Sequence, residues 1–182
     1  MSYKLNKEQI ENIKGIDDFI RETQHLIPTI RNIKIPNFPL NSNKETVFIE
    51  FRILPHIEYL IRNMILTLPN WSHTIICGNC NIKYIQDMNI HPNLKIIHFK
   101  VDNITINHYN QLLLSYNFWN NLIGEKILIH QSDSIIFHDG IDMFLDFDYI
   151  GAPWKKKLNE KYVGNGGFSL RTKKIMISCL KY

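Results

Sequence analysis

Cysteine is scarce in this chain. There are three in 182 residues, an odd number with no secretory leader ahead of them, which argues against a disulfide framework. Long apolar runs are missing as well. None reaches the roughly 20 residues of a membrane-spanning helix, and the opening MSYKLNKEQ has no apolar signal-peptide core. These absences predict a cytoplasmic protein with no membrane span. Concentrated charge is also lacking. Lys and Arg number 21 against 17 Asp and Glu, for a net charge of +4, and only Lys155-Lys156-Lys157 and Lys173-Lys174 form runs. A nucleic-acid binder carries a denser basic face, so no nucleic-acid partner is expected. An anionic small substrate such as a nucleotide fits a modest local excess better. The eight histidines include no H-E-x-x-H and no H-x-H pair, and no internal repeat is visible.

What is present is an ordinary globular composition, 45% hydrophobic and 12% aromatic. A chain of this length buries roughly 70% of the surface its unfolded form exposes. One principal domain is expected over 45–182, preceded by a helix and a Pro-containing connector over 1–44. Asn6 and Gln9 form a capping box that starts a helix, and Ile10, Ile13, Ile16, Phe19 and Ile20 continue its apolar spacing. Pro28, Pro36 and Pro39 mark 28–44 as extended.

The core begins at Thr46 with TVFIEF, a β-branched and aromatic strand. A helix follows Pro55, its apolar face running from Leu54 to Leu68. Further strands are predicted at Thr74–Cys77, Leu94–Phe99, Ile127–Gln131, Ile135–Phe137 and Phe147–Ile150. Helical segments are predicted at Tyr109–Trp119, 141–145 and Thr172–Leu180. Alternating strands and helices imply an α/β fold with a mostly parallel sheet flanked by helices. Ligands of such sheets bind outside the carboxyl ends of the strands, where Glu50, Arg52, Gly78, Asn79, Gln131 and Asp133 fall.

Several constellations carry chemistry. In QSDS, Asp133 just past an apolar strand has the placement of a carboxylate that ligates Mg²⁺ or Mn²⁺ on a diphosphate, which needs only one or two protein carboxylates. Equally, it has the placement of a turn Asp capping backbone N–H groups. Gly164-Asn165-Gly166-Gly167 reads as a loop that lets backbone approach a ligand or as a surface turn; it fits neither the P-loop nor the dinucleotide fingerprint. Asp146, Asp148, Tyr149 and Trp154 combine carboxylates with aromatic faces suited to a sugar ring, or are core aromatics beside solvated acids. Cys77-Gly78-Asn79-Cys80 has the spacing of a dithiol, though the segment after it makes a poor long helix. His130 is expected to pack inside its strand, and His138 to lie in a turn.

Taken in order, ETVFIEFR, YNQLLLSYNFW, GEKILIHQSDSIIF, FDYIGAPW and GNGGFSLR resemble a family of poorly characterised glycosyltransferase-like domains of the GT-A class, found in bacteria, protists and large viruses. The resemblance covers roughly residues 45–175. It implies a Rossmann-like GT-A sheet binding a nucleotide diphosphate-sugar, a UDP-sugar foremost, with Mn²⁺ or Mg²⁺ on the diphosphate. QSDS then stands at the D-x-D position, with Asp133 as metal ligand and Gln131 in place of the first Asp. The resemblance also implies that Glu50, Arg52, Gly78 and Asn79 lie by the base and ribose. Tyr109 and Asn110 would reach the donor beside Gln131 and Ser132. Asp148 and Trp154, with Asn165, Gly166 and Gly167, would line the sugar and acceptor side. Related domains continue past the NGGFSLR helix, so a C-terminally truncated domain is one expectation. If the chain is viral, its place is host cytoplasm or virion.

The leading expectation is therefore a glycosyltransferase that moves a sugar to an acceptor hydroxyl of a glycan, protein or small molecule, with Asp148 as catalytic base. A non-catalytic nucleotide- or glycan-binding domain of the same fold is the alternative. A thiol oxidoreductase through Cys77 and Cys80 is a third.

Overall fold

Three β-branched, apolar runs form the first parallel strands: β1 (Lys44–Ile49), β2 (Ser72–Cys77) and β3 (Lys95–His98). With β4 (Lys126–His130), β5 (Tyr149–Ala152) and β6 (Asn165–Thr172) they build one six-stranded sheet in the order β3-β2-β1-β4-β6-β5. The structure, a computed structural model, describes residues 3–152 and 165–180. Pairing is parallel from β3 through β4, while β6 runs antiparallel to both β4 and β5. The chain thus has a mixed α/β fold with a mostly parallel sheet flanked by helices.

Alternation along the strands divides the core into two layers. Phe48 points to the face covered by α4 (Ile57–Thr67) and by α2 (Ile16–His25) and α3 (Ile27–Arg31), where Phe19, Ile30, Tyr59 and Met64 pack. Val47 and Ile49 point to the other face, against α6 (Ile106–Leu113), α7 (Tyr116–Asn120) and α8 (Lys173–Cys179). Buried Glu58 ties the N-terminal helices to α4. It accepts Arg31 Nε at 2.8 Å on one oxygen and Arg31 Nη2 at 2.5 Å on the other, and Arg62 Nε at 2.9 Å.

The structure departs from the sequence-based expectations at several joints. The capping box of Asn6 and Gln9 starts α1 (Lys7–Asn12), but the chain is extended at Ile13 and resumes as α2 after Gly15, a residue poorly suited to a helix interior. The expected extended stretch begins inside α3, with Pro28 in the first turn, where its missing N–H costs nothing. The helix expected at Tyr109–Trp119 starts at Ile106 and breaks at Ser115 into α6 and α7. A short helix, α5 (Ile82–Asp87), follows Cys80. Ile135–Phe137 is not a strand: Asn63 accepts the Ile136 N–H at 3.1 Å and donates to its carbonyl at 3.0 Å, so this segment docks on α4 instead of pairing. Asn165, Gly166 and Gly167, read as a loop, open β6 at an irregular stretch: Asn165 pairs with Ala152, the register then shifts before Ser169 meets Gly151, and pairing with β4 begins only at Ser169.

Candidate functional site

The carboxyl ends of β1 and β4 and the start of β6 border a cleft of about 1150 Å³, completed by α2, α6 and α8. Because β6 is antiparallel to β4, its beginning meets the end of β4. Ser169 pairs with Ile129, which sets Gly166 and Gly167 beside the turn that follows His130.

Glu50 and Arg52 leave β1 as a locked pair. Arg52 Nε and Nη2 donate to the two Glu50 oxygens at 2.8 and 2.7 Å, and the backbone N–H groups of Phe51 and Arg52 donate to Oε1 at 2.9 and 3.0 Å. Burial pushes the Glu50 carboxyl up. Hydrogen bonds from the Arg52 side chain, from Ser132 and from the Arg52 backbone outweigh it and hold the carboxyl below its ordinary value. Asn81 braces the pair from behind, donating to the carbonyls of Glu50 and Arg52 at 2.8 and 3.1 Å.

The turn after β4 is closed by Ser134, not by Asp133. The Ser134 hydroxyl donates to the Gln131 carbonyl at 2.8 Å and accepts the Gln131 N–H at 3.2 Å. Ser132 is buried, and its carbonyl lies 2.7 Å from Nε2 of fully buried His56. A carbonyl only accepts, so Nε2 carries the proton and Nδ1 holds a lone pair. Nδ1 has no partner among the described residues. Burial lowers the His56 pKa and keeps the ring neutral. Asp133 is left exposed at the mouth, within Coulomb reach of Arg52, and its carboxylate makes no hydrogen bond or ion pair among the described residues. Tyr109 and Asn110 reach the cleft from α6. The Tyr109 hydroxyl is buried beside the Gln131 side chain, and burial pushes its pKa up to about 12, the Gln131 interaction opposing in part.

The cleft therefore gathers Glu50, Arg52, Tyr109, Asn110, Gln131, Ser132, Asp133, Gly166 and Gly167. Other expected site residues are not brought there. Gly78 is a packing position, where an added Cβ would stand 2.5 Å from the Val101 carbonyl and 2.7 Å from the Phe51 ring. Asn79 is occupied by Asp102 at 2.9 Å and His98 at 3.0 Å, and neither Gly78 nor Asn79 lines the cleft. Asp148 lies at the opposite edge of the sheet. Its carbonyl accepts the N–H of Thr172, which pairs with Lys126, the first residue of β4. That is about five residues of strand, roughly 16 Å, from Gln131. The Asn165 side chain, Trp154 and Gly164 lie outside the described residues. Cys77 is buried and its thiol pushed up to about 11 by burial, opposite to the shift a reactive dithiol requires. His130 packs fully inside its strand, as expected, and His138 accepts the Gly140 N–H in a turn.

Two cleft residues escape the sequence reading. His56 carries no local signal. Arg171 does, since in FSLRT polar and apolar residues alternate with period two, which marks a strand whose Ser169 and Arg171 share a face. Among the described residues no group of three His, Cys, Asp or Glu side chains converges to hold a metal ion, and no helix is long and apolar enough to cross a membrane. No curated protein matches the chain. The stretch that carries the Gln131–Asp133 turn, β6 and Arg171 is nonetheless similar to known sequences: residues 93–182 match a family described as "Protein of unknown function (DUF5672)".

Proposed function

We propose that this chain is a glycosyltransferase domain of GT-A type whose cleft binds a nucleotide diphosphate-sugar, a UDP-sugar foremost. One observation carries the reading. In the order β3-β2-β1-β4, the sheet is extended to one side of β1 by β2 and to the other by β4, and the cleft opens outside the carboxyl ends of β1 and β4, the switch point where open α/β sheets bind ligands. The Glu50–Arg52 pair at one strand end and the unengaged Asp133 at the other supply polar groups in fixed places.

Mn²⁺ or Mg²⁺ fits this donor set in a limited way. Asp133 would hold the ion with the Gln131 amide oxygen beside it, the remaining positions going to diphosphate and water oxygens. When bound, such an ion supplies charge neutralisation on the leaving diphosphate. The protein's own contribution is orientation. Glu50 and Arg52 fix the floor, Ser132 and His56 fix the turn, and Gly166 and Gly167 let the donor approach the backbone. Asp148 is not proposed as the base, because it sits at the far edge of the sheet. That same placement favours a second reading, in which the cleft binds a donor or glycan without transferring it.

Thermal melting with UDP-sugars and Mn²⁺ tests the proposal. The melting temperature should rise, and Asp133→Asn should remove the Mn²⁺-dependent part. Donor hydrolysis or transfer separates catalysis from binding alone. If no nucleotide sugar shifts the melt with or without metal, the donor site does not exist as described.

A further inference from the structure

Arg171 is a buried cation that no carboxylate neutralises among the described residues. It departs from the next-to-last position of β6, opposite Ile127 on one side and Tyr149 on the other. Its side chain runs back along the strand. Nε donates to the Ser169 hydroxyl at 2.9 Å and Nη2 to the Gly166 carbonyl at 3.3 Å. The guanidinium sits 5.1 Å from the Tyr149 ring and 5.9 Å from the Trp119 ring. Those contacts are with neutral partners and hold the group in place without cancelling its charge. A guanidinium has five N–H bonds, and these two hydrogen bonds leave three unspent at the cleft wall.

Taking a guanidinium out of water is costly unless an anion pays for it. Around the cleft the charges sort themselves out. Glu50 neutralises Arg52, His56 is held neutral by burial, Asp133 is an exposed carboxylate at the mouth, and Arg171 is a cation of the same cleft with no carboxylate partner among the described residues. The Tyr109 hydroxyl, beside the Gln131 side chain, adds an O–H group in the same cleft. A planar, immobilised guanidinium with spare N–H bonds matches phosphate oxygens better than any other side chain.

We propose that Arg171 forms a direct oxyanion subsite that takes the donor's diphosphate, so that protein charge rather than metal alone offsets the leaving group. The proposal rests on the nucleotide-sugar reading for its ligand. Titration with UDP, uridine and inorganic pyrophosphate in EDTA tests it. Wild-type protein should bind UDP at least tenfold more tightly than uridine without metal, and Arg171→Met should reduce that ratio to near one. Gly166→Ala serves where the methionine variant fails to fold. Its Cβ would stand 2.8 Å from Arg171 Nη2 and displace the guanidinium, so the UDP to uridine ratio should fall severalfold. A ratio near one in the wild type, or an unchanged ratio in a folded variant, overturns the subsite while leaving metal-mediated donor binding open. Pyrophosphate binding that depends on Arg171, with neither UDP nor uridine bound any tighter, keeps the subsite and removes the nucleotide-sugar reading.

Discussion

His56 Nε2 donates to the carbonyl oxygen of Ser132 across 2.7 Å, joining the residue before α4 to the turn after β4. The two are 76 residues apart in sequence. This bond reaches a buried backbone oxygen that the Ser134 turn leaves unserved, and Asp133 is the next residue along.

His56→Phe should therefore act on the turn. Phe fills much the same volume, so the loss is the hydrogen bond and the stranded Ser132 carbonyl, about 1–3 kcal/mol. Urea denaturation should show that loss with an unchanged m-value. Hydrogen exchange should quicken across 131–134 more than in β2. His56→Gln, which keeps a donor at similar reach, should recover part of both.

Gly78 is a packing position and not a ligand. Gly78→Ala drives a methyl group against the Val101 carbonyl at 2.5 Å and the Phe51 ring at 2.7 Å. Overpacking of this kind costs about 1–3 kcal/mol. Thermal melting should fall accordingly, while ligand affinity, measured well below the melt, should change only insofar as Phe51 moves in the cleft wall.

Acid should destabilise the protein in two stages. His73 and His130 are fully buried, and burial lowers both to about 3 from an ordinary 6.5. A group whose folded pKa is depressed stabilises the fold above its unfolded pKa. Here the unfolded chain takes up protons below about 6.5 and the native state does not. Each histidine should then cost about 1.4 kcal/mol per pH unit below 6.5. Glu50 and Glu58 also sit below their ordinary 4.5, burial opposing and the arginine hydrogen bonds prevailing. Their contribution is present above 4.5 and fades below it. Denaturation midpoints should fall from pH 6.5 downward and more steeply under 4.5. His73→Asn and His130→Phe should flatten the first stage, whereas a stability that holds level between pH 6.5 and 5 would count against the buried, neutral assignment.

The parallel half of the sheet was legible because its strands are runs of β-branched residues flanked by turn signals, as in TVFIEF and TIIC. The errors have physical sources. Ile135–Phe137 has a strand's composition, but its backbone is served by the side chain of Asn63, a partner 73 residues away that no local pattern announces. Gly166 and Gly167 read as punctuation, whereas the alternation that follows them belongs to a strand. Asp133 and Asp148 looked alike beside their strands. Asp133 follows β4 and Asp148 precedes β5, which runs the same way, so a sheet that reverses twice between them sends the two carboxylates to opposite edges. Arg171 is marked only by the alternation in FSLRT, which gives the strand and the face but not the burial of its charge.

The position of β6 between β4 and β5 also bears on how the chain assembles. β4 pairs with β1, 82 residues earlier between Leu128 and Thr46, and with β6, 42 residues later between Leu128 and Leu170. On the ribosome, β4 emerges well before its second neighbour exists. Until β6 arrives it offers a naked, apolar edge to any other chain. Cutting the protein before Asn165 should therefore yield an aggregating product, and the strand that presents Asp133 becomes sealed only in the last act of folding.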